Sequence, residues 1–440
     1  MVSARNRELF GLLPVALAVA AGFAAVLIAH EAEVNDLTLT YGVLFLVLCL
    51  LGHLFIRWRM PDADPYLYPI TAALAGIGIV TVYRISPELA REQAQWFVVA
   101  LIVFAATVLL LRDITVLERY RYTIAAGAFV LLILPRVTGG VVNGAYLQVN
   151  LGPLSFQPTE LAKLAIVVFI AAYLAETREI LVTQERRFLG ISFPPPGYFG
   201  PMIAIWVLAM LTLVFIRDLG SAVMYFGGFL ALLYVATGRL SYVVIGLAMF
   251  VFGFLFFAET VGHVQARVDT WQHPLNPQLF ESGESFQIAQ GLFTMADGGV
   301  LGSGIGKALL NVDGAQILPA AQTDSIYALY TGEVGLIGAV GLLLLYLLFA
   351  ERALKTALIA QDSFSKLLAT GLGAVFALQV FVIVGGVTGV IPLTGVTLPF
   401  VSYGGSSVVA NFIMVALLML ISNKARREAR EEVEFEGGVV

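Results

Sequence analysis

Asp324 closes the tripeptide Gln322-Thr323-Asp324 at the end of a long polar stretch, Glu259 to Thr331, inside a chain that is otherwise almost entirely apolar. A carboxylate at the edge of an apolar segment can act as a general base or hold a cation, and so long an insert between apolar segments is usually functional. Asp324 is therefore the expected working residue. A second candidate group is Glu160 with Lys163, one helical turn apart, where an unpaired ammonium at the membrane boundary would be expensive. That pair suits an anionic headgroup, or is a purely structural ion pair. Arg217-Asp218, joining two apolar runs with almost no loop, either lines a polar cavity or serves as a snorkelling cation and a helix cap. Arg267, with Asp269 ahead of Trp271-Gln272-His273-Pro274, completes the set. Each acid has a plainer reading too: Glu160 as partner of a helix N-terminus behind Pro158, and Asp324 or Thr323 as an N-cap.

These residues must be positioned by membrane helices. The chain has 440 residues, 59% hydrophobic and 12% charged, with a mean hydropathy of +0.89, outside the soluble globular range. Apolar windows fall near residues 11–29, 39–56, 68–84, 95–111, 121–137, 159–176, 200–216, 220–237, 241–258, 332–350, 368–389 and 405–422. The expected fold is thus an all-α polytopic membrane protein with about twelve spans, because a barrel would alternate and give no such runs. The first window is read as a retained helix, not a cleaved signal. Eighteen of the 25 lysines and arginines fall in connections on one side, among them Arg57, Arg59, Arg112, Arg186, Arg352 and Arg427. The positive-inside rule then places both termini in the cytoplasm and the 259–331 loop outside.

Several alternatives fail on spacing. Gly298, Gly299, Gly302, Gly304 and Gly306 with Lys307 resemble a phosphate loop only loosely, since Ala308 stands where Ser or Thr is needed. The four histidines lack ligand spacing, and the single Cys49 cannot form an intrachain disulfide. The basic tail reads as a topology signal, with no nucleic-acid partner. Between the last two windows, Pro392-Leu393-Thr394-Gly395 and Pro399 to Ser407 break helices at the membrane edge, which is tolerated where backbone is buried or lines a wet cavity.

Taken together, the motifs resemble the SEDS family (shape, elongation, division and sporulation), the group of RodA, FtsW and SpoVE. The matching pieces are Asn143-Gly144-Ala145, Gln157-Pro158-Thr159-Glu160 with Lys163, Asp218-Leu219-Gly220, Arg267-Val268 with Trp271 and Pro274, Thr323-Asp324, and Pro399 to Ser407. The resemblance covers residues 68–422, a ten-helix core, with 1–67 as a two-helix addition and 423–440 as a cytoplasmic tail. The added helices and Gly385-Gly386-Val387-Thr388 lean toward RodA-like members. Gln322 replaces a frequent histidine, Tyr146 and Leu147 replace basic and Trp residues, and Gly332 replaces the first of two glutamates.

The resemblance implies an inverting peptidoglycan glycosyltransferase in the bacterial cytoplasmic membrane that polymerises lipid II on the outer face, for elongation and shape or for division. It makes Asp324 catalytic and places Glu160, Lys163 and Asp218 at the substrate cavity. Arg217 and Arg267 join Lys163 as cations able to stabilise the departing pyrophosphate. It also implies a class B penicillin-binding protein as partner, and leaves open a divalent cation, magnesium or manganese, held by carboxylates. Two rivals remain at this level: a lipid II transporter, and a non-catalytic scaffold for the penicillin-binding protein.

Overall fold

The computed structural model describes residues 4–29, 36–138, 148–151, 154–183, 186–188, 191–193, 218–312 and 315–437, with five isolated positions between 200 and 211. Among them, eleven helices are long and apolar enough to cross a membrane. They are α1 (Ala4–Ala29), α2 (Asp36–Arg59), α3 (Leu67–Ile85), α4 (Pro87–Leu110), α6 (Arg121–Thr138), α7 (Pro158–Thr183), α8 (Leu219–Thr237), α9 (Leu240–Thr260), α13 (Ile326–Ile359), α14 (Ser363–Val387) and α15 (Gly405–Gly437). Each falls on one of the expected windows; the remaining one, 200–216, lies almost wholly outside the described residues, as do Asn143-Gly144-Ala145 and Arg217. Shorter helices are α5 (Thr115–Arg119), α10 (Gly262–Gln272), α11 (Pro277–Glu281) and α12 (Phe286–Gly298). Three antiparallel hairpins with strands of two or three residues are the only sheet among the described residues. The protein is an all-α, multi-pass membrane protein.

The helices are apolar on nearly all faces, as expected where both the lipid-facing and the packed side must avoid unpaired polar groups. Leu44, Leu51 and Leu54 on α2 are exposed on the protein surface, which here is the hydrocarbon-facing side. The residues cluster into two compact units.

The first unit comprises residues 1–112, 270–352 and 383–440. The α1–α2 hairpin packs on α3, and α15 packs along α4. Phe97, Phe104 and Phe400 surround Phe412 with ring centroids 5.5, 6.4 and 5.8 Å away, all edge-on. The polar end of this unit is tied by a hydrogen bond between Glu8 and His53 at 2.7 Å and by ion pairs of Asp64 with Arg426 and of Asp62 with Arg430, the last at 2.7 Å. The added hairpin carries an acid, Glu8, with no exposure at all, held by Arg5 and His53.

The second unit comprises residues 113–269 and 353–382. Its centre is α7, flanked by α6 and α8, with α9 against α8. Most of α7 and α8 is buried (72% of the apolar window in each), whereas α6 and α9 bury only 17% and form the lipid-facing side. Small residues let these helices approach: a Cβ on Gly228 would meet Val375 at 2.5 Å, and one on Gly371 would meet Val167 at 2.8 Å.

Candidate active site

In the first unit, Asp324 lies in a turn of residues 321–325 that leads into α13, and its side chain is half-buried. It is not the N-cap: that position is Ser325, whose carbonyl accepts from Leu329 N at 3.1 Å. The turn is made by Ala320, whose carbonyl accepts from both Thr323 N and Ser325 N at 3.0 Å, and whose φ of 49° is unusual for a residue with a side chain.

Residues 398–404 brace this turn. Tyr403 N donates to Gln322 O at 2.8 Å, and Ser402 Oγ donates to Thr323 O at 2.7 Å while accepting from Leu398 N at 2.9 Å. Gln93 of α4, 2% exposed, holds the brace from behind: its Nε2 donates to Ser402 O and its Oε1 accepts from Gly404 N, both at 3.2 Å. Tyr346 of α13 donates to Pro399 O at 2.7 Å. Phe400 has φ of 64° and packs where α3 has no side chain, since a Cβ on Gly78 would lie 2.6 Å from Phe400 O. Ala320 and Phe400 are the two non-glycine residues with positive φ among those described, and both support the Asp324 turn. Such conformations cost on the order of 1–3 kcal/mol each and persist where surrounding structure over-determines them. The carboxylate faces the neighbouring loop, with Oδ2 3.7 Å from where a Cβ on Gly395 would stand.

The glycine cluster has a structural explanation. At Gly335, φ 68° and ψ −175° break α13. The segment 299–304 runs into the break: Ser303 N and Gly304 N donate to the carbonyls of Gly332 and Glu333 at 3.0 Å, and Leu336 N donates to Gly299 O at 3.0 Å. A Cβ on Gly302 would lie 2.1 Å from Glu333 O, so no larger residue fits. The glycines thus satisfy backbone groups freed by a broken helix rather than a phosphate. Beside the break, Glu333 binds Arg84 Nε at 3.0 Å, and Arg84 also donates to Ala308 O at 2.8 Å.

The second unit collects the other expected residues. Lys163 Nζ donates to Glu160 Oε2 at 2.8 Å and to Gln379 Oε1 of α14 at 2.6 Å, and all three side chains are buried. Asp218 caps α8: Oδ1 accepts from Ser221 N at 2.9 Å and Oδ2 from Ser221 Oγ at 2.5 Å. Burial pushes its carboxyl above the usual carboxylate range, against the bonds from Ser221 and the charge of Arg267, with Glu160 adding to the rise. Arg267, on α10, is half-buried. The capping reading of Asp218 and the ion-pair reading of Glu160–Lys163 are both realised in the geometry. Gln379 and Gln93 were not singled out from sequence; Gln379 is a lone amide inside the 368–389 window, whereas Gln93 sits in the polar stretch Arg91-Glu92-Gln93-Ala94-Gln95 at the edge of the 95–111 window and carries no such signal. Among the described residues, no group of three or more His, Cys, Asp or Glu is placed to hold a metal ion.

Comparison with known proteins agrees with this architecture. Residues 66–427 match the family model of the FtsW/RodA/SpoVE cell cycle proteins. The peptidoglycan glycosyltransferase RodA of Mycobacterium tuberculosis is 38% identical over 97% of this chain and 92% of its own length. A probable peptidoglycan glycosyltransferase FtsW of Tolumonas auensis is 31% identical over 86% of this chain and 98% of its own. Among solved structures, a chain from a peptidoglycan synthase complex that coordinates polymerization and crosslinking aligns with a TM-score of 0.65 at 25% identity, covering 82% of this chain and 98% of that one. The rod shape determining protein RodA of Thermus thermophilus aligns at 0.58 and 25% identity, over 82% of this chain and 96% of its own. The chain belongs to the FtsW/RodA/SpoVE family.

Proposed function

We propose that this protein is a peptidoglycan glycosyltransferase that polymerises lipid II on the outer face of the bacterial cytoplasmic membrane, with Asp324 as its general base. The observation that supports this best is the Asp324 turn itself. A half-buried carboxylate is held on a strained backbone by a dedicated brace. In the proposed reaction Asp324 takes the proton of the acceptor hydroxyl as that oxygen attacks the anomeric carbon of the donor. The bond to the pyrophosphate breaks in the same displacement, so an α-linked donor yields a β-linked strand. Positioned proton transfer of this kind is worth about 10²–10⁴ in rate.

We assign contact with the lipid-linked pyrophosphate to Lys163 and Arg267, with Arg217, and cavity-lining roles to Glu160 and Asp218. A divalent cation, magnesium or manganese, would be held by carboxylates beside the pyrophosphate. The distribution of arginine and lysine supports cytoplasmic termini and an outward-facing 259–331 segment. The partner implied by the family resemblance is a class B penicillin-binding protein, and the pairing of polymerization with crosslinking in the synthase complex that this chain resembles supports it.

The test is polymerisation of lipid II by the purified protein. Wild type forms glycan strands and Asp324→Asn does not; strand formation by Asp324→Asn at the wild-type rate would remove the base. Transfer of labelled lipid II across vesicles without strand formation would favour a transporter instead. Unimpaired wall synthesis in cells carrying an inactive Asp324 variant would favour a scaffold.

A further inference from the structure

At the charged end of the first unit, α2, α4 and α15 leave a cavity of about 450 Å³ between them. Arg59, Arg112 and Arg427 line it together with Asn423, and no acidic residue among the described residues does. Arg59 ends α2, its guanidinium 5.3 Å from the centre of the neighbouring Trp58 ring, and Trp58 is 70% exposed. An exposed tryptophan at the end of an apolar helix marks the headgroup level of a bilayer. Arg112 follows directly on α4, whose apolar span closes at Leu110. Asn423 Oδ1 accepts from Asp62 N at 3.0 Å, so its own amide N–H groups point elsewhere as donors. The remaining wall is apolar, with Met60, Leu111 and Leu420. Three guanidinium groups, a donor amide and an apolar wall at the membrane boundary form a receptor for an amphipathic anion.

The charge balance narrows the choice. The arginines partly serve the helices they end, because α2 and α4 stop here and each C-terminus carries about half a negative charge. Arg427 also lies 3.7 Å from Glu431, which is itself exposed. Against three arginines this leaves about one positive charge uncompensated. We propose that the cavity holds the phosphodiester headgroup of an anionic glycerophospholipid, one negative charge with acyl chains running down the apolar wall. Neither a zwitterionic headgroup nor a phosphate dianion matches that balance. This site involves no residue assigned above to catalysis and stands apart from the proposed reaction.

The experiment is native mass spectrometry of the full-length protein in detergent micelles, with phosphatidylglycerol or phosphatidylcholine added at equal concentration. Wild type should retain one phosphatidylglycerol in preference to phosphatidylcholine. Removing one arginine should weaken retention about fivefold, and Arg59→Gln with Arg112→Gln about twenty-fivefold, at roughly 1 kcal/mol per basic residue. Arg112→Lys should keep most of the affinity. If the double variant does not fold, shown by a lost thermal transition in lipid-free micelles, Arg427→Gln alone carries the test. Equal retention of the two lipids, or unchanged retention in these variants, would overturn the proposal. So would displacement of the lipid by glycerol 3-phosphate or inorganic phosphate at equal concentration, which would mark a site for soluble phosphate.

Discussion

Ser402 Oγ sits between two backbones, donating to the carbonyl of Thr323 at 2.7 Å and accepting from Leu398 N at 2.9 Å. One hydroxyl therefore locks the loop before α15 to the residue preceding Asp324. Ser402→Ala leaves both backbone groups unpaired in a site where Ser402 is 1% exposed. The expected cost is about 1–3 kcal/mol, read as a lower thermal midpoint, with a larger fractional loss of polymerisation because the turn loosens. Unchanged turnover with an unchanged midpoint would show that the brace is dispensable.

Gln93 acts one step further back, through the backbones of Ser402 and Gly404. It touches no proposed substrate group, so Gln93→Leu should lower kcat while leaving KM for lipid II nearly constant. Gln93→Glu keeps the acceptor for Gly404 N but loses the donor to Ser402 O, and should fall between. A change confined to KM would contradict a positioning role.

Asp324→Asn and Asp324→Glu should both depress polymerisation, by about 10²-fold or more for Asn. Asp324→Asn keeps the shape of the side chain and one acceptor oxygen, so it should lower the thermal midpoint little. A large drop in stability in Asp324→Asn would return the residue to a structural role.

Lys163 can be tested for structure and function separately. Lys163→Met strands the buried Glu160 and should destabilise the protein by about 3 kcal/mol. Lys163→Met with Glu160→Gln removes both charges and should recover most of that stability. If the double variant is stable and still polymerises lipid II normally, the pair only holds the fold. If it is stable and inactive at low substrate, the contact with the donor stands.

Asp218 contributes to the pH dependence of stability. Its folded pKa is raised, so the folded state binds the proton more tightly than the unfolded chain does. Its contribution to stability is present at acid pH and is lost as pH climbs from the ordinary carboxylate pKa through the raised one. Asp218→Asn should flatten that part of the stability profile while keeping an acceptor for Ser221 N. An unaltered profile would show that another group titrates there.

The spans were legible because hydrocarbon demands long apolar runs, and all eleven described helices long enough to span coincide with runs visible in the sequence. The Glu160–Lys163 pair was legible too, since three residues on a helix fix a shared face. Gln379, Gln93 and the Arg84–Glu333 pair were not, because each joins positions far apart in sequence: 216, 309 and 249 residues separate the partners. The glycine cluster was visible, but its cause was not. Nothing local announces that Gly335, inside an apolar run, would open a helix and require a glycine-rich strap to close it.

The break at Gly335 has a mechanical consequence. A rod broken at one joint can leave it in a new direction, and a strap bolted to both pieces then fixes the angle. The 299–304 segment is bonded to Gly332 and Glu333 before the joint and to Leu336 after it, so the heading of α13 beyond Gly335 is set separately from its heading at Ile326, where it leaves the Asp324 turn.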